Sequence, residues 1–228
     1  MQIKKQYSVA LDLSGPYTSF SLMDNENGQR LVTKSLLLSN RNNFTFFELF
    51  FDALKELNIE IQDISEWFVG VGPGSFTGLR ISSSFVLGIT YDKSEIVINA
   101  IPSALPVAAK TNPESGDNVA VLYYASRSEI LVYCVENKNG VLQNTDSMII
   151  ADKKEINHVL SSFNHIIYLS NKYIDEILPE SIKSECIILD AFPADLLFQK
   201  NYNTHGFSIN DLIYIRPPTI YKSTQKNS

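Results

Sequence analysis

The predicted order of strands and helices occurs twice along this chain, and that repeat restricts the possible folds more than any other feature. Apolar runs bounded by turn residues predict three strands, a helix, a strand, a helix and a strand over residues 7–100. The same seven elements follow over residues 119–190, with Asn139-Gly140 as a hairpin turn between the second and third strands. The repeat predicts a duplicated α/β fold with two βββαβαβ units, each a mixed sheet flanked by helices.

The predicted bounds of these elements can be compared directly with a structure. In the first unit, strands are predicted at residues 7–13, 17–23, 30–38, 67–71 and 96–100, and helices at 44–57 and 78–90. In the second unit, strands are predicted at 119–125, 129–136, 141–150, 165–169 and 186–190, and helices at 153–163, 172–178 and 193–202. Two such units are the plan of the actin-like ATPase, or ribonuclease H-like, fold.

Residues 101–117 separate the two units. Three prolines and the turn pairs Thr111-Asn112 and Ser115-Gly116 give this segment the composition of a linker. We therefore predict an N-terminal unit at residues 1–107 and a C-terminal unit at residues 108–228.

Composition excludes several classes of function. The net charge is -6, and clustered Lys and Arg for gripping phosphates are absent, so we expect any contact with RNA to be indirect. Cys134 and Cys186 are isolated, which favours a reducing compartment over a disulfide-stapled secreted domain. With no signal-like start and no membrane-length apolar run, the sequence predicts a cytoplasmic protein that does not enter a membrane.

A glycine-rich turn follows the predicted strand at 67–71 and opens into the helix at 78–90. It reads Gly72-Pro73-Gly74-Ser75-Phe76-Thr77-Gly78-Leu79-Arg80. The glycines permit positive φ or close backbone approach, and Ser75 or Thr77 is placed to cap the helix. The spacing fits neither the dinucleotide fingerprint nor the P-loop.

This string resembles the hallmark of the TsaB family, also called YeaZ. Residues 10–14, which contain Asp12, are similar to the family's Ala-Ile-Asp-Thr-Ser, and residues 212–216, which contain Tyr214 and Arg216, are similar to its closing Pro-Leu-Tyr-Leu-Arg. Residues 124–131 depart from the family's Asp-Ala-Arg-x-x-Glu-Val-Tyr: Glu129 matches, but tyrosine and serine replace the two charges that lead the motif. The chain is identified by this resemblance as a divergent member.

The resemblance implies a scaffold subunit with no chemistry of its own. TsaB is the non-catalytic partner of TsaD, in a complex that forms threonylcarbamoyladenosine in tRNA with ATP handled by other subunits. The resemblance also implies a TsaD-type partner, a TsaE-type ATPase that acts through the complex, a homodimer when the protein is alone, and no bound cofactor or metal.

The alternative is an actin-like ATPase or small-molecule phosphotransferase that uses Asp12. In this alternative Asp12 activates water or a hydroxyl group. The other interpretation of Asp12 is a strand-end carboxylate that caps its own turn. The matching turn in the second unit, at residues 123–127, contains tyrosines and no Asp or Gly, which weakens the nucleotide-binding interpretation. The three histidines lack metal-ligand spacing.

The helix at 44–57 is unusually rich in phenylalanine, with more apolar surface than one sheet can cover. We expect the surplus, together with small residues on the helix at 78–90, to bind a partner; a filled core is the other interpretation. In the family these two helices form the dimerisation face. The predicted interface residues are Phe46, Phe47, Phe50, Ala53, Leu54, Leu57, Ser84 and Gly88.

Overall fold

The computed structural model describes residues 6–37 and 44–215, apart from the side chains of Phe44 and Asp146. Its ten described strands are β1 (Tyr7–Asp12), β2 (Tyr17–Asp24), β3 (Arg30–Leu37), β4 (Ile64–Gly70), β5 (Val97–Ile101), β6 (Asn118–Ser126), β7 (Glu129–Lys138), β8 (Val141–Asp152), β9 (His165–Leu169) and β10 (Ile187–Leu189). Its described α-helices are α1 (Phe44–Glu56), α2 (Phe76–Ile89), α3 (Ala104–Ala109), α4 (Ile156–Leu160), α5 (Lys172–Ile177) and α6 (Glu180–Lys183).

The strands form two five-stranded sheets with the same topology. The first sheet has the order β3-β2-β1-β4-β5, and the second has the order β8-β7-β6-β9-β10. In each sheet the first three strands of the unit pair antiparallel, and the last two add parallel to the first. This equivalence confirms the predicted duplication, which the sequence carries only as an order of elements.

Strand β1 is buried on both faces because it lies at the centre of the first sheet. Val9 and Leu11 point into a core that α1 and α2 cover, whereas Ala10 points into a core shared with the second unit. That shared core includes α3 and the residues of β6 and β7 that face it. A third core lies on the other face of the second sheet, beneath α4 and α5. The result is four layers, helix–sheet–sheet–helix, with α3 between the sheets.

The segment predicted as a linker is packed into the protein. Helix α3 lies between the two sheets, and Ala104, Leu105 and Val107 are buried there. The apolar side chains of this segment therefore fold it inward, although its prolines suggested an exposed connection. The division at residues 107 and 108 falls inside α3, and the separation into two units at that point stays a prediction.

The predicted helix at 193–202 is wrong. The segment forms a short 3-10 helix, Ala194–Phe198, and the backbone then becomes extended at Gln199, which lets Tyr202 form a bridge with Leu142 and enter the shared core. Lys200 and Asn201 beyond it are exposed, so no apolar stripe supports a longer helix. The predicted end of the strand at Leu38 lies outside the described residues. None of the described helices is long and apolar enough to cross a membrane.

Candidate functional site

The glycine-rich turn brings α2 into backbone contact with the end of β1. A Cβ atom on Gly74 would lie 2.4 Å from the carbonyl oxygen of Ser14, and one on Gly78 would lie 1.8 Å from that of Leu13. Both distances are far shorter than a van der Waals contact, so no side chain fits at either position. The turn is therefore a packing device, as the sequence predicted.

The far end of the chain completes this turn. Ile213 donates its backbone N–H to Val71 at 2.8 Å, and Gly74 donates to the carbonyl of Ile213 at 3.1 Å. Gly72 has a φ of +99°, and a Cβ on it would lie 2.2 Å from that same carbonyl oxygen. The glycine turn and residues 212–215, which are far apart in sequence, thus form one structural unit. Arg216 and residues 217–228 lie outside the described residues.

Helix α2 begins at this unit. The side chain of Ser75 accepts a hydrogen bond from the backbone N–H of Gly78 at 3.4 Å, which confirms Ser75 as the cap, whereas Thr77 is exposed. Leu79 is buried, and Arg80 is exposed beside Phe76. The peptide bond between Gly72 and Pro73 is cis.

Asp12 is fully buried and holds three segments together. Its Oδ1 accepts from the backbone N–H of Ser14 at 2.8 Å and from the Ser14 hydroxyl at 2.7 Å. Its Oδ2 accepts from the hydroxyl of Ser103, which in turn accepts from the backbone N–H of Gly72 at 3.0 Å. The carboxylate therefore caps its own turn and ties β1 to the glycine turn and to the start of α3.

Burial raises the pKa of the Asp12 carboxyl above its ordinary value near 3.8, against the opposing effect of the Ser103 and Ser14 hydrogen bonds. A carboxyl whose pKa is higher in the folded state contributes most to stability at low pH. That contribution falls as the pH rises through the raised pKa.

We therefore expect Asp12→Asn to be tolerated. The amide keeps an oxygen for Ser14 and carries no charge, but its NH2 group replaces the oxygen that accepts from Ser103. The free energy of unfolding should therefore fall less than in Asp12→Ala and should vary less with pH above about 4 than in the wild type. Asp12→Ala should cost about 1–3 kcal/mol, because three buried donors lose their acceptor. Urea denaturation at pH 5 and pH 7 measures both effects; an Asn variant as unstable as the Ala variant would contradict this account.

A cavity of about 300 Å³ lies between the two halves, beside the Asp12 turn. Its lining includes Ser14, Tyr123, Tyr124 and Asn171 and contains no charged residue among those described. The Tyr123 hydroxyl is buried without a hydrogen-bond partner, and burial raises its pKa well above 10. The described lining therefore has no cation, and the second half contributes no glycine loop, to bind the phosphates of a nucleotide. Asp12 has no exposed area and does not reach into the cleft.

Residues 124–131, which correspond to the family motif of the second unit, also make contacts within this chain. Glu129 accepts a hydrogen bond from the hydroxyl of Ser126 at 2.8 Å across the turn between β6 and β7. Tyr124 stacks on Tyr173 with ring centroids 4.8 Å apart. No three His, Cys, Asp or Glu side chains within the described ranges come together as a possible metal site.

Four of the predicted interface residues are buried inside the chain itself. Phe46 and Phe50 have no exposed area, and Ala53 and Leu54 have 3% or less. Phe50 lies 5.3 Å from Phe20 between ring centroids, and similar contacts join Phe46 to the same cluster. A side chain without exposed area cannot contact another chain, so these four belong to the core, which was the alternative interpretation.

The remaining predicted residues lie at or near an exposed strip on α1 and α2. Ser84 and Gly88 are exposed, and Phe47 and Leu57 are partly exposed. A Cβ on Gly88 would meet no atom of the described residues within 4 Å, so packing within that part of the chain does not require glycine there.

Three larger side chains on this strip were not among the predicted interface residues. Phe51 is 47% exposed, Leu87 37% and Tyr91 83%. Residues 84, 87 and 88 share one face of α2 by the 3.6-residue period, and that signal could have identified Leu87. Tyr91 lies just beyond the end of the helix, and Phe51 lies on α1. We define the α1–α2 surface as Phe47, Phe51, Ser84, Leu87, Gly88 and Tyr91.

Two sheets of this strand order, facing each other across a cleft, define a protein of the actin-like ATPase fold. The family model described as TsaD: tRNA N6-adenosine threonylcarbamoyltransferase matches residues 45–176, which is 132 of the 228 residues. The chain belongs to this family, as a TsaB (YeaZ) member.

The individual relatives have low sequence identity to this chain. The tRNA threonylcarbamoyladenosine biosynthesis protein TsaB of Bacillus subtilis is 26% identical over 132 residues, which cover 55% of this chain and 57% of that protein. The solved structure of YeaZ from Pseudomonas aeruginosa has a TM-score of 0.60 at 19% identity, covering 84% of this chain and 88% of that chain. A second solved structure, of an uncharacterized protein similar to the peptidase YeaZ from Pseudomonas aeruginosa, has a TM-score of 0.59, the same 19% identity and the same coverage.

Proposed function

We propose that this protein is a scaffold subunit in the formation of threonylcarbamoyladenosine in tRNA. It binds a TsaD-type catalytic subunit through the α1–α2 surface and performs no chemistry alone. In this proposal a TsaE-type ATPase acts through the complex, the tRNA is held by the other subunits in the cytoplasm, and the free chain forms a homodimer. The name of the Bacillus subtilis relative supports the pathway.

The exposed glycine on α2 is the observation that carries the proposal. Gly88 costs helix stability and is not needed for packing inside the chain, since the space above it is open. A second helix that approaches closely needs a small residue at this kind of position. Leu87 and Tyr91 beside it expose apolar area that a partner would cover.

The buried Asp12 network supports a binding role over ATP hydrolysis. Its two carboxylate oxygens are already engaged by Ser14 and Ser103, which leaves the carboxylate sealed from any nucleotide in the cleft. A general base must reach the proton that it abstracts, directly or through one water molecule.

We expect Gly88→Gln to abolish binding while leaving the fold unchanged. Glutamine favours the helix and enters open space, so the melting temperature should stay the same or rise. The added side chain prevents a close helix approach and should weaken binding to the TsaD-type subunit by roughly 100-fold or more. Isothermal titration calorimetry against that subunit gives the affinity, and tRNA modification by the reconstituted complex should fall with it.

The matched control is Ser181→Gln, which adds the same exposed side chain to α6 in the second half. It should leave both binding and modification unchanged. Wild-type affinity in the Gly88 variant would reject the α1–α2 surface as the binding site.

A further inference from the structure

Arg80 is an exposed cation that the fold holds in place with no acidic partner among the described residues. Its guanidinium carbon lies 4.2 Å from the centre of the Phe76 ring, and its Nε–H donates to the hydroxyl of Tyr214 at 3.3 Å. The Phe76 and Tyr214 rings are themselves in contact, with centroids 5.0 Å apart. Within residues 6–37 and 44–215, no carboxylate lies at ion-pair distance from this guanidinium.

These contacts fix the side chain but leave its strongest binding groups free. An arginine has five N–H donors, and the bond to Tyr214 uses only the one on Nε. The two terminal nitrogens form a planar fork whose geometry matches the two oxygens of a carboxylate. Because aromatic stacking has already restricted the side chain, little further conformational entropy is lost when the fork binds.

Arg80 also lies on the face of α2 that carries the α1–α2 surface. It precedes Ser84 by one helical turn, and Leu87 and Gly88 follow at spacings of seven and eight residues. Any helix that lies along this face and packs onto Gly88 will therefore also cover Arg80. A guanidinium that loses its water without gaining a partner is costly, so the covering helix must supply an anion.

We propose that Arg80 selects the partner by binding an Asp or Glu on the helix that covers the α1–α2 surface, and that this helix belongs to the TsaD-type subunit. The inference rests on the proposed function and adds the chemistry of the recognised residue. Apolar contacts around Gly88 would then provide affinity, while the Arg80 ion pair fixes the register of the two helices.

The test compares Arg80→Gln and Arg80→Lys with the wild type, in calorimetric titrations of the TsaD-type subunit at low and high salt. Arg80→Gln should weaken binding by roughly 10- to 100-fold and reduce its salt dependence. Arg80→Lys keeps the charge but lacks the fork, so it should restore only part of the affinity. Lys110→Gln, which removes an exposed cation at the end of α3, should change neither quantity.

Each outcome separates this inference from the proposal on which it rests. If the wild-type chain does not bind the TsaD-type subunit, the proposed function fails. If the wild type binds and Arg80→Gln binds equally well, the carboxylate inference alone is overturned. If the Arg80 variants disrupt only self-association in sedimentation velocity, the carboxylate belongs to a second copy of this chain, and its assignment to the TsaD-type helix is wrong. Because Arg80→Lys preserves the stacked cation, it remains informative if the glutamine variant does not fold.

Discussion

Gly78→Ala should prevent the protein from folding, although alanine is the better helix former. The new methyl group would lie 1.8 Å from the backbone oxygen of Leu13, and neither backbone can move without separating α2 from β1. We expect a loss of more than about 4 kcal/mol in the free energy of unfolding, which is at the upper end for single substitutions. Thermal denaturation followed by circular dichroism measures it.

The control lies ten residues along the same helix. Gly88→Ala makes the same chemical change, but its methyl group enters open space, so we expect a gain of about 0.5–1 kcal/mol from helix propensity. Equal effects at the two positions would show that helix propensity, rather than close backbone packing, determines the role of glycine in α2.

Phe50→Glu should also unfold the protein. Phe50 has no exposed area, and its ring contacts Phe20, Phe46, Trp67 and Phe85 at centroid distances of 5.3 to 6.1 Å. Removing such a side chain costs about 3–5 kcal/mol, and burying an unpaired carboxylate adds to that cost. Urea denaturation should show either no folded baseline or a midpoint far below that of the wild type.

The adjacent residue provides the comparison. Phe51 is 47% exposed, so Phe51→Glu should retain the fold and reduce only association through the α1–α2 surface. If Phe46 and Phe50 were interface residues, as the sequence predicted, charges there would abolish association and leave the fold intact; their burial indicates a different outcome. Those variants would lose association because they unfold. A folded Phe50→Glu protein would contradict the burial of this helix.

The fold was predictable because each sheet uses strong local signals. The buried part of β4 is the apolar run that begins at Trp67, although the strand itself starts three residues earlier, at Ile64. The Asn139-Gly140 hairpin between β7 and β8 was predicted correctly from its turn residues. The short helices α3 and α6 were missed. The single turn of α6 gives too few periodic positions to be distinguished from a loop, and α3 contains a proline and follows another, so its segment has the composition of a linker.

The surface that we propose for binding lies on the two helices named from the sequence, but four of the residues predicted for it are buried in the core. Periodicity alone identifies an apolar stripe on α1 without showing which part of it the neighbouring elements cover. Phe85 lies 5.0 Å from Phe47 and 5.8 Å from Phe50, between ring centroids, and so brings most of the phenylalanine cluster into the core. Only tertiary contacts between α1, α2 and β2 distinguish Phe50 from Phe51, which are neighbours in sequence.

The pairing of residues 212–215 with the glycine turn has a consequence for biosynthesis. Ile209 fills the core beneath α1 and α2, and Ile213 bonds to both sides of the turn, so the first sheet obtains its last stabilising contacts from residues translated more than a hundred positions later. During translation the amino-terminal lobe should therefore remain incomplete on the ribosome until residues 209–215 have left the exit tunnel. The α1–α2 helices therefore gain their final packing contacts only when this later segment docks against them.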